Sequence, residues 1–163
     1  MTELNNAKWG FESNCFVCEP RNERGLGIRF SHDPELEVVT ASFELGDEFS
    51  GAPSWVHGGL VLAILDEAMA WAWATIAVAH RFAATRDTAA TFERPVRVAR
   101  RHHVEARVVG REEELLKTAA TIHDERGRCC ATAAATFVAL GEARAAQAVG
   151  VEITGEAATY LAP

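Results

Sequence analysis

The sequence has no cationic start leading into an apolar run between Met1 and Gly10, so a secretory leader is not expected. It has no excess of positive charge. Lys and Arg number 16 against 23 Asp and Glu, a formal net charge of −7, which argues against nonspecific nucleic-acid binding. No glycine-rich phosphate loop, dinucleotide fingerprint or Ser-His-Asp order is present, which sets aside the usual nucleotide-binding and serine-hydrolase readings. There is no second C-x-x-C. Cys15-Phe16-Val17-Cys18 stands alone, and the only other pair is the adjacent Cys129-Cys130. Neighbouring residues on a strand point to opposite faces, so these four do not make the four-ligand set of a structural zinc. Nor does the βαβ context of a thioredoxin-like site follow. The reading is reduced, structural cysteines, the alternative being a metal shared with some other group; no metal and no cofactor are expected. Repeats and linkers are also missing. A chain of 163 residues, 48% apolar and 24% charged, suits one soluble globular domain spanning 1–163, with a core over about 15–140 and a tail over 141–163. The expected location is the cytoplasm.

What is present centres on Trp55-Val56-His57-Gly58-Gly59-Leu60, which runs into the longest apolar segment, to His80. Two glycines permit a tight turn and close approach of a ligand to the backbone. The residues after them contain no Gly, Pro or Asn and read as a helix. Its first N–H groups and the positive end of its dipole would face whatever sits at its start, a place to hold a carbonyl oxygen gaining negative charge. Apolar residues surround this helix, as in a buried core helix or a membrane span. Asp66-Glu67 near its middle argues for the core, since each such charge costs about 2.5–3.5 kcal/mol at a bilayer centre. The two acids point about 100° apart. Asp66 shares a stripe with Leu62, Met69 and Trp73, and Glu67 lies over Ala63, Ala70 and Ala74.

Before the helix, Gly25–Phe30 and Leu36–Leu45 read as strands around an Asp33-Pro34 turn, and Gly46–Ser54 as a loop. After it, Arg81–Asp87 reads as a connection. Four strands follow, over Thr88–Val98, with Pro95 marking an edge or a bulge, and over His103–Val109, Leu115–His123 and Cys129–Leu140. Asp124-Glu125-Arg126-Gly127 makes a hairpin turn between the last two. The tail reads either as a short helix or as a mobile end. Consecutive strands with short turns imply an antiparallel sheet, and one apolar helix must cover a face of it. This is an α+β chain of hot-dog architecture, a sheet wrapped around one long central helix.

The run His57-Gly58-Gly59-Leu-Val-Leu-Ala-Ile-Leu-Asp66-Glu-Ala-Met69, with the acid nine positions after the histidine, resembles the hot-dog acyl-CoA thioesterases, in particular their PaaI-like branch. Cys15–Cys18 with Asn22 and Gly25-Leu26-Gly27 is similar to a subset of that family, and Phe92–Val96 to its strand after the helix. The resemblance spans about residues 15–140. It implies a thioester hydrolase in which the Gly58 N–H polarises the carbonyl, Asp66 is general base or nucleophile, and His57 positions carbonyl or water. It also implies a homodimer or homotetramer with the site between subunits. One departure is Gly51, where many relatives carry Asn or Gln; Ser50 or Ser54 is the expected substitute.

A carboxylate in an apolar setting has its charged form disfavoured and becomes a stronger base, which is the expectation for Asp66. Gly59, Leu62, Met69, Phe92 and Arg94 are the expected substrate contacts, giving a mainly apolar acyl or aryl pocket. Arg94, Arg97, Arg100, Arg101, Arg107 and Arg111 make a basic zone in an acidic chain, suited to the phosphates of coenzyme A, or else a solvated hairpin surface. The partner is an acyl-CoA thioester, with no nucleic acid and no membrane. Two other readings stand beside hydrolysis: a non-catalytic acyl-CoA-binding module, and a hot-dog dehydratase or hydratase, for which Asp47 and His57 lie too far apart.

Overall fold

The structure is a computed structural model describing residues 1–4, 6, 13–76 and 82–150. Its strands are β1 (Thr2–Glu3), β2 (Ser31–Asp33), β3 (Val38–Glu44), β4 (Ser50–Ala52), β5 (Trp55–Val56), β6 (Phe82–Phe92), β7 (Arg101–Glu112), β8 (Leu115–Asp124) and β9 (Cys129–Leu140). The helices are α1 (Gly58–Ile76) and α2 (Glu142–Val149), with a 3-10 turn at Asp47–Phe49. Seven strands form one antiparallel sheet in the order β1-β2-β3-β7-β8-β9-β6, and β4 pairs with β5.

The sheet wraps α1, which packs against β3, β6, β7, β8 and β9. Cross-strand register explains how a helix carrying Met69, Trp71 and Trp73 fits there. Ala106, Ala120, Ala133 and Ala90 pair in one row across β7, β8, β9 and β6. Their small side chains leave space under the helix, which Val61, Ile64, Leu65, Ala68, Met69 and Ala72 fill from above, all buried. The result is the expected α+β hot-dog arrangement. One stripe of α1, containing Leu62, Ala63, Asp66, Glu67 and Ala70, is only half-buried within a single chain.

Three expectations are corrected. Gly25–Phe30 is not a strand. Gly27 takes a φ of +60°, which turns the chain out of the extended path. The segment instead lies along the C-x-x-C loop, through Leu26 N–H to Phe16 O at 2.7 Å and Ile28 N–H to Val17 O at 2.9 Å. Second, 82–87 is not a connection but the start of β6, paired with the end of β9. Third, that strand stops at Phe92 instead of reaching Val98. The N–H groups of Glu93 and Arg94 both turn onto Cys130 O, at 2.8 and 2.9 Å, and Pro95 has none to give. The Asp124–Gly127 turn forms as expected, with Gly127 at φ +72° and Asp124 Oδ1 accepting from the N–H of Arg126 and Arg128. The tail begins as α2. Residues 77–80 of the expected helix and 151–163 of the tail lie outside the described residues.

Candidate active site

The site begins at the start of α1. His57 N–H bonds Phe49 O at 2.9 Å, and Gly51 packs directly on His57. A Cβ at position 51 would lie 2.9 Å from His57 Cα, so glycine is what the packing admits there. His57 then caps the helix. Its carbonyl accepts from Leu60 and Val61 N–H at 2.9 and 3.1 Å, and its ring Nδ1 accepts from Gly59 N–H at 3.0 Å. A neutral ring that accepts at Nδ1 carries its proton on Nε2. Of the four leading N–H groups of the helix, Gly58's has no protein partner among the described residues. Gly58 lines a cleft of about 400 Å³ together with Trp55, Val56, Val61 and the run Phe92–Val96. The exposed Phe92 ring lies against Gly58, 3.9 Å from where a Cβ would stand.

Asp66 lies two turns further along the same helix, half-buried. Thr88 Oγ1 donates to it at 3.1 Å and Thr85 Oγ1 at 3.4 Å. Residues three apart on a regular strand face opposite sides. Here Arg86 is an extra residue, since Thr85 pairs with Phe137 and Asp87 with Thr136. This bulge brings both hydroxyls onto the helix-facing side. Neither threonine stands out in the sequence as a site residue, because the bulge that unites them shows only in the pairing register.

Burial, reinforced by the charge of Cys15, pushes Glu67 up to about 7. Cys15 Sγ lies 3.6 Å from Glu67 Oε1. Hydrogen bonding from the Cys18 thiol, helped by the Cys18 N–H, holds Cys15 down to about 5, while donating that bond and being buried push Cys18 up. The two acids of α1 thus point apart as expected, Asp66 to β6 and Glu67 to the N-terminal arm.

The other expected contacts divide. Phe92 and Arg94 line the cleft. Leu62 is half-buried, and Gly59 is exposed with its N–H taken by His57. Met69 is fully buried in the core, with no surface to offer a ligand. Ser54, an expected substitute for the missing polar residue, is engaged by Arg97 at 2.7 Å, and Ser50 is exposed on β4. Arg94, Arg97, Arg100 and Arg101 line a second groove of about 410 Å³, joined by Arg126 and Arg128 from the β8–β9 turn and by Asp124 and Glu125. Arg94 and Pro95 border both cavities, so the two are neighbours. Arg97 also lies over the Trp55 ring at 5.6 Å. Arg107 is directed elsewhere, to Leu36 O at 2.8 Å, and Arg111 sits near the far end of β7.

Residues 54–131 match the family model of the thioesterase superfamily, a span that runs from β5 to early β9. Among solved structures, a thioesterase superfamily protein superposes with a TM-score of 0.71 at 20% identity, over 77% of this chain and 60% of that one. The Escherichia coli PaaI protein of the phenylacetic acid degradation operon gives 0.63 at 16% identity, over 71% and 81%. A Streptococcus mutans protein determined bound to acetyl-CoA gives 0.61 at 16% identity, over 69% and 89%. No curated protein matches the chain. The hot-dog fold is therefore shared with these structures, and residues 54–131 resemble the thioesterase superfamily. Among the described residues, no helix is long and apolar enough to cross a membrane.

Proposed function

We propose that this chain hydrolyses acyl-CoA thioesters, at sites formed between two copies. The observation that carries the reading is the Gly58 N–H without a protein partner among the described residues, at a helix start on the wall of a cleft that shares Arg94 and Pro95 with an arginine-lined groove. The cleft takes the thioester and the start of the acyl chain, and the groove takes the phosphates of coenzyme A. Backbone donors act well here because they are already aimed before charge develops; losing one costs about 10²–10³ in rate. Water adds to the carbonyl carbon as a carboxylate removes its proton. The tetrahedral oxyanion accepts from Gly58 N–H, and its collapse breaks the C–S bond to release carboxylate and coenzyme A thiol.

That carboxylate belongs to a second copy. Gly58 and Asp66 are eight residues apart on one helix, which separates them by about 12 Å along its axis. A base must come within roughly 3 Å of the water it activates, so one chain's Asp66 does not serve its own Gly58. The outer edge of β6, which pairs with no strand among the described residues, offers the means, because two such edges pair about a two-fold axis. Asp66 lies beside Thr85 and Thr88, and Gly58 beside Phe92. An axis near Ala89 would lay one chain's Asp66 opposite the other's Phe92.

The experiment is release of free thiol from short, long and aryl acyl-CoAs by the wild type and Asp66→Asn. The proposal expects turnover that the substitution abolishes while the fold survives. A second reading, a non-catalytic acyl-CoA-binding module, draws on Gly51, where no side chain is available to position water. It expects acyl-CoA to raise the melting temperature of both proteins without turnover by either.

A further inference from the structure

We propose that Cys15, Cys18 and Glu67 form a binding site for a divalent cation of the zinc class, separate from the thioester cleft. One ligand atom from each of these residues lies within 4.8 Å of the other two. The separation of Cys15 Sγ from Glu67 Oε1, 3.6 Å, is the edge of a metal tetrahedron. Zn–S of about 2.3 Å and Zn–O of about 2.0–2.2 Å at the tetrahedral angle span roughly 3.6 Å. Two thiolates with one carboxylate favour zinc over magnesium or calcium, which take all-oxygen shells.

The donors come from elements 52 residues apart, and each is held in place. The C-x-x-C loop is fixed by Glu19 N–H to Cys15 O at 3.3 Å and by the two bonds from Leu26 and Ile28, and Val17 and Cys18 are buried. Cys18 N–H points at Cys15 Sγ at 3.4 Å, the kind of backbone bond that orients a thiolate ligand. Glu67 is fixed by the central helix. Among the described residues Glu67 makes no ion pair, and its contact is the Cys15 thiol. Asn6 supplies a fourth corner. Its amide lies 3.4 Å from Cys18 Sγ, and a half-turn of that amide presents oxygen instead of nitrogen. The ion ties the N-terminal arm to α1 at the residue after Asp66, on a side of the helix turned about 100° from it.

The test is metal content and cobalt spectroscopy on the full chain. Protein purified without chelator should carry about one zinc per chain by elemental analysis, as a single tetrahedral site requires. Cobalt(II) added after zinc removal should give the thiolate-to-cobalt charge-transfer band and the visible bands of a tetrahedral ion. Cys15→Ser/Cys18→Ser should abolish the charge-transfer band. The near-isosteric Glu67→Gln should weaken cobalt binding by roughly tenfold or more, given that even outer partners of a ligand are worth 10–100-fold. A Cys129→Ser/Cys130→Ser control should leave the spectrum unchanged. Far-UV circular dichroism of each variant separates loss of the site from loss of the fold. Absence of a thiolate–cobalt band in folded wild type would overturn the proposal, as would a Cys15–Cys18 disulfide in its place or cobalt affinity unaltered by Glu67→Gln.

Discussion

Replacing His57 by alanine separates two roles that one histidine could have at a helix start. In the structure the ring is a cap, with Nδ1 accepting from Gly59 N–H at 3.0 Å. Removing a side-chain acceptor at this position costs about 1 kcal/mol, within a range of 0.5–2. The ring is exposed, so water recovers part of that bond and the lower half of the range is expected. For a domain of this size the loss lowers Tm by about 2–4 °C per kcal/mol. The first turn also loosens beside Gly58, the oxyanion donor, so kcat should fall by some part of the 10²–10³ that losing one such donor costs. Asparagine caps as well as any residue, so His57→Asn should regain stability to within a few tenths of a kcal/mol and most of the rate. Urea midpoints and kcat/KM for acyl-CoA hydrolysis, on wild type and both variants, give the readout. Wild-type stability in His57→Ala would refute the capping argument. An Asn variant that is stable yet as slow as Ala would show that the imidazole acts on substrate directly.

Three further outcomes follow from packing and charge. Gly51→Ala places a Cβ 2.9 Å from His57 Cα. It should cost stability on the scale of an overpacked site, about 1–3 kcal/mol, and lower kcat with it; unchanged denaturation and activity would refute the close fit. Met69→Ala should lose about 2–5 kcal/mol as a core cavity, with acyl-chain preference unaltered in a substrate panel, because Met69 has no exposed surface. His102 is buried against Phe43, with Nδ1 3.0 Å from Arg100 O and Nε2 facing Arg97 N–H. That arrangement suits the neutral ring, and burial lowers its pKa from the ordinary 6.5. As pH falls below about 6.5 the unfolded chain takes up this proton before the folded one does. Stability present above that pH is then lost, at up to about 1.4 kcal/mol per unit, until the folded pKa is reached. Urea midpoints between pH 7.5 and 5.5 should show an acid loss that His102→Gln reduces.

The sheet was legible wherever alternation and turn chemistry coincided. Cys129–Leu140 and the Asp124–Gly127 turn are read from the sequence with their observed bounds. Phe82–Asp87 was not, because the Arg86 bulge interrupts the two-residue period and the partner strand that stabilises this stretch lies about 50 residues away. The same bulge hid Thr85 and Thr88. The start of α1 was legible from Gly58-Gly59, since only the backbone has to act there. Helical periodicity placed Leu62, Met69 and Trp73 on one stripe with Asp66, but not which part of that stripe the sheet covers, and so Met69 read as a pocket wall. Arg126 and Arg128 look like turn residues until the β8–β9 hairpin brings them beside Arg94 and Arg101.

In the proposed enzyme one chain's Gly58 works with another's Asp66. Thioester hydrolysis by mixed dimers of two inactive variants decides whether the two groups meet across the interface. Asp66→Asn removes the base. Gly58→Pro removes the oxyanion donor at the first helical position, where proline is well tolerated, and the nearest atom to a new Cβ is Phe92 Cε1 at 3.9 Å. Each variant alone should be folded and inactive. Dissociated, mixed in equal amounts and reassociated, half the dimers are hybrids with one intact site of two, so about a quarter of wild-type activity should return. No recovery, with hybrid dimers demonstrated by mass, would rule out a site shared between two chains.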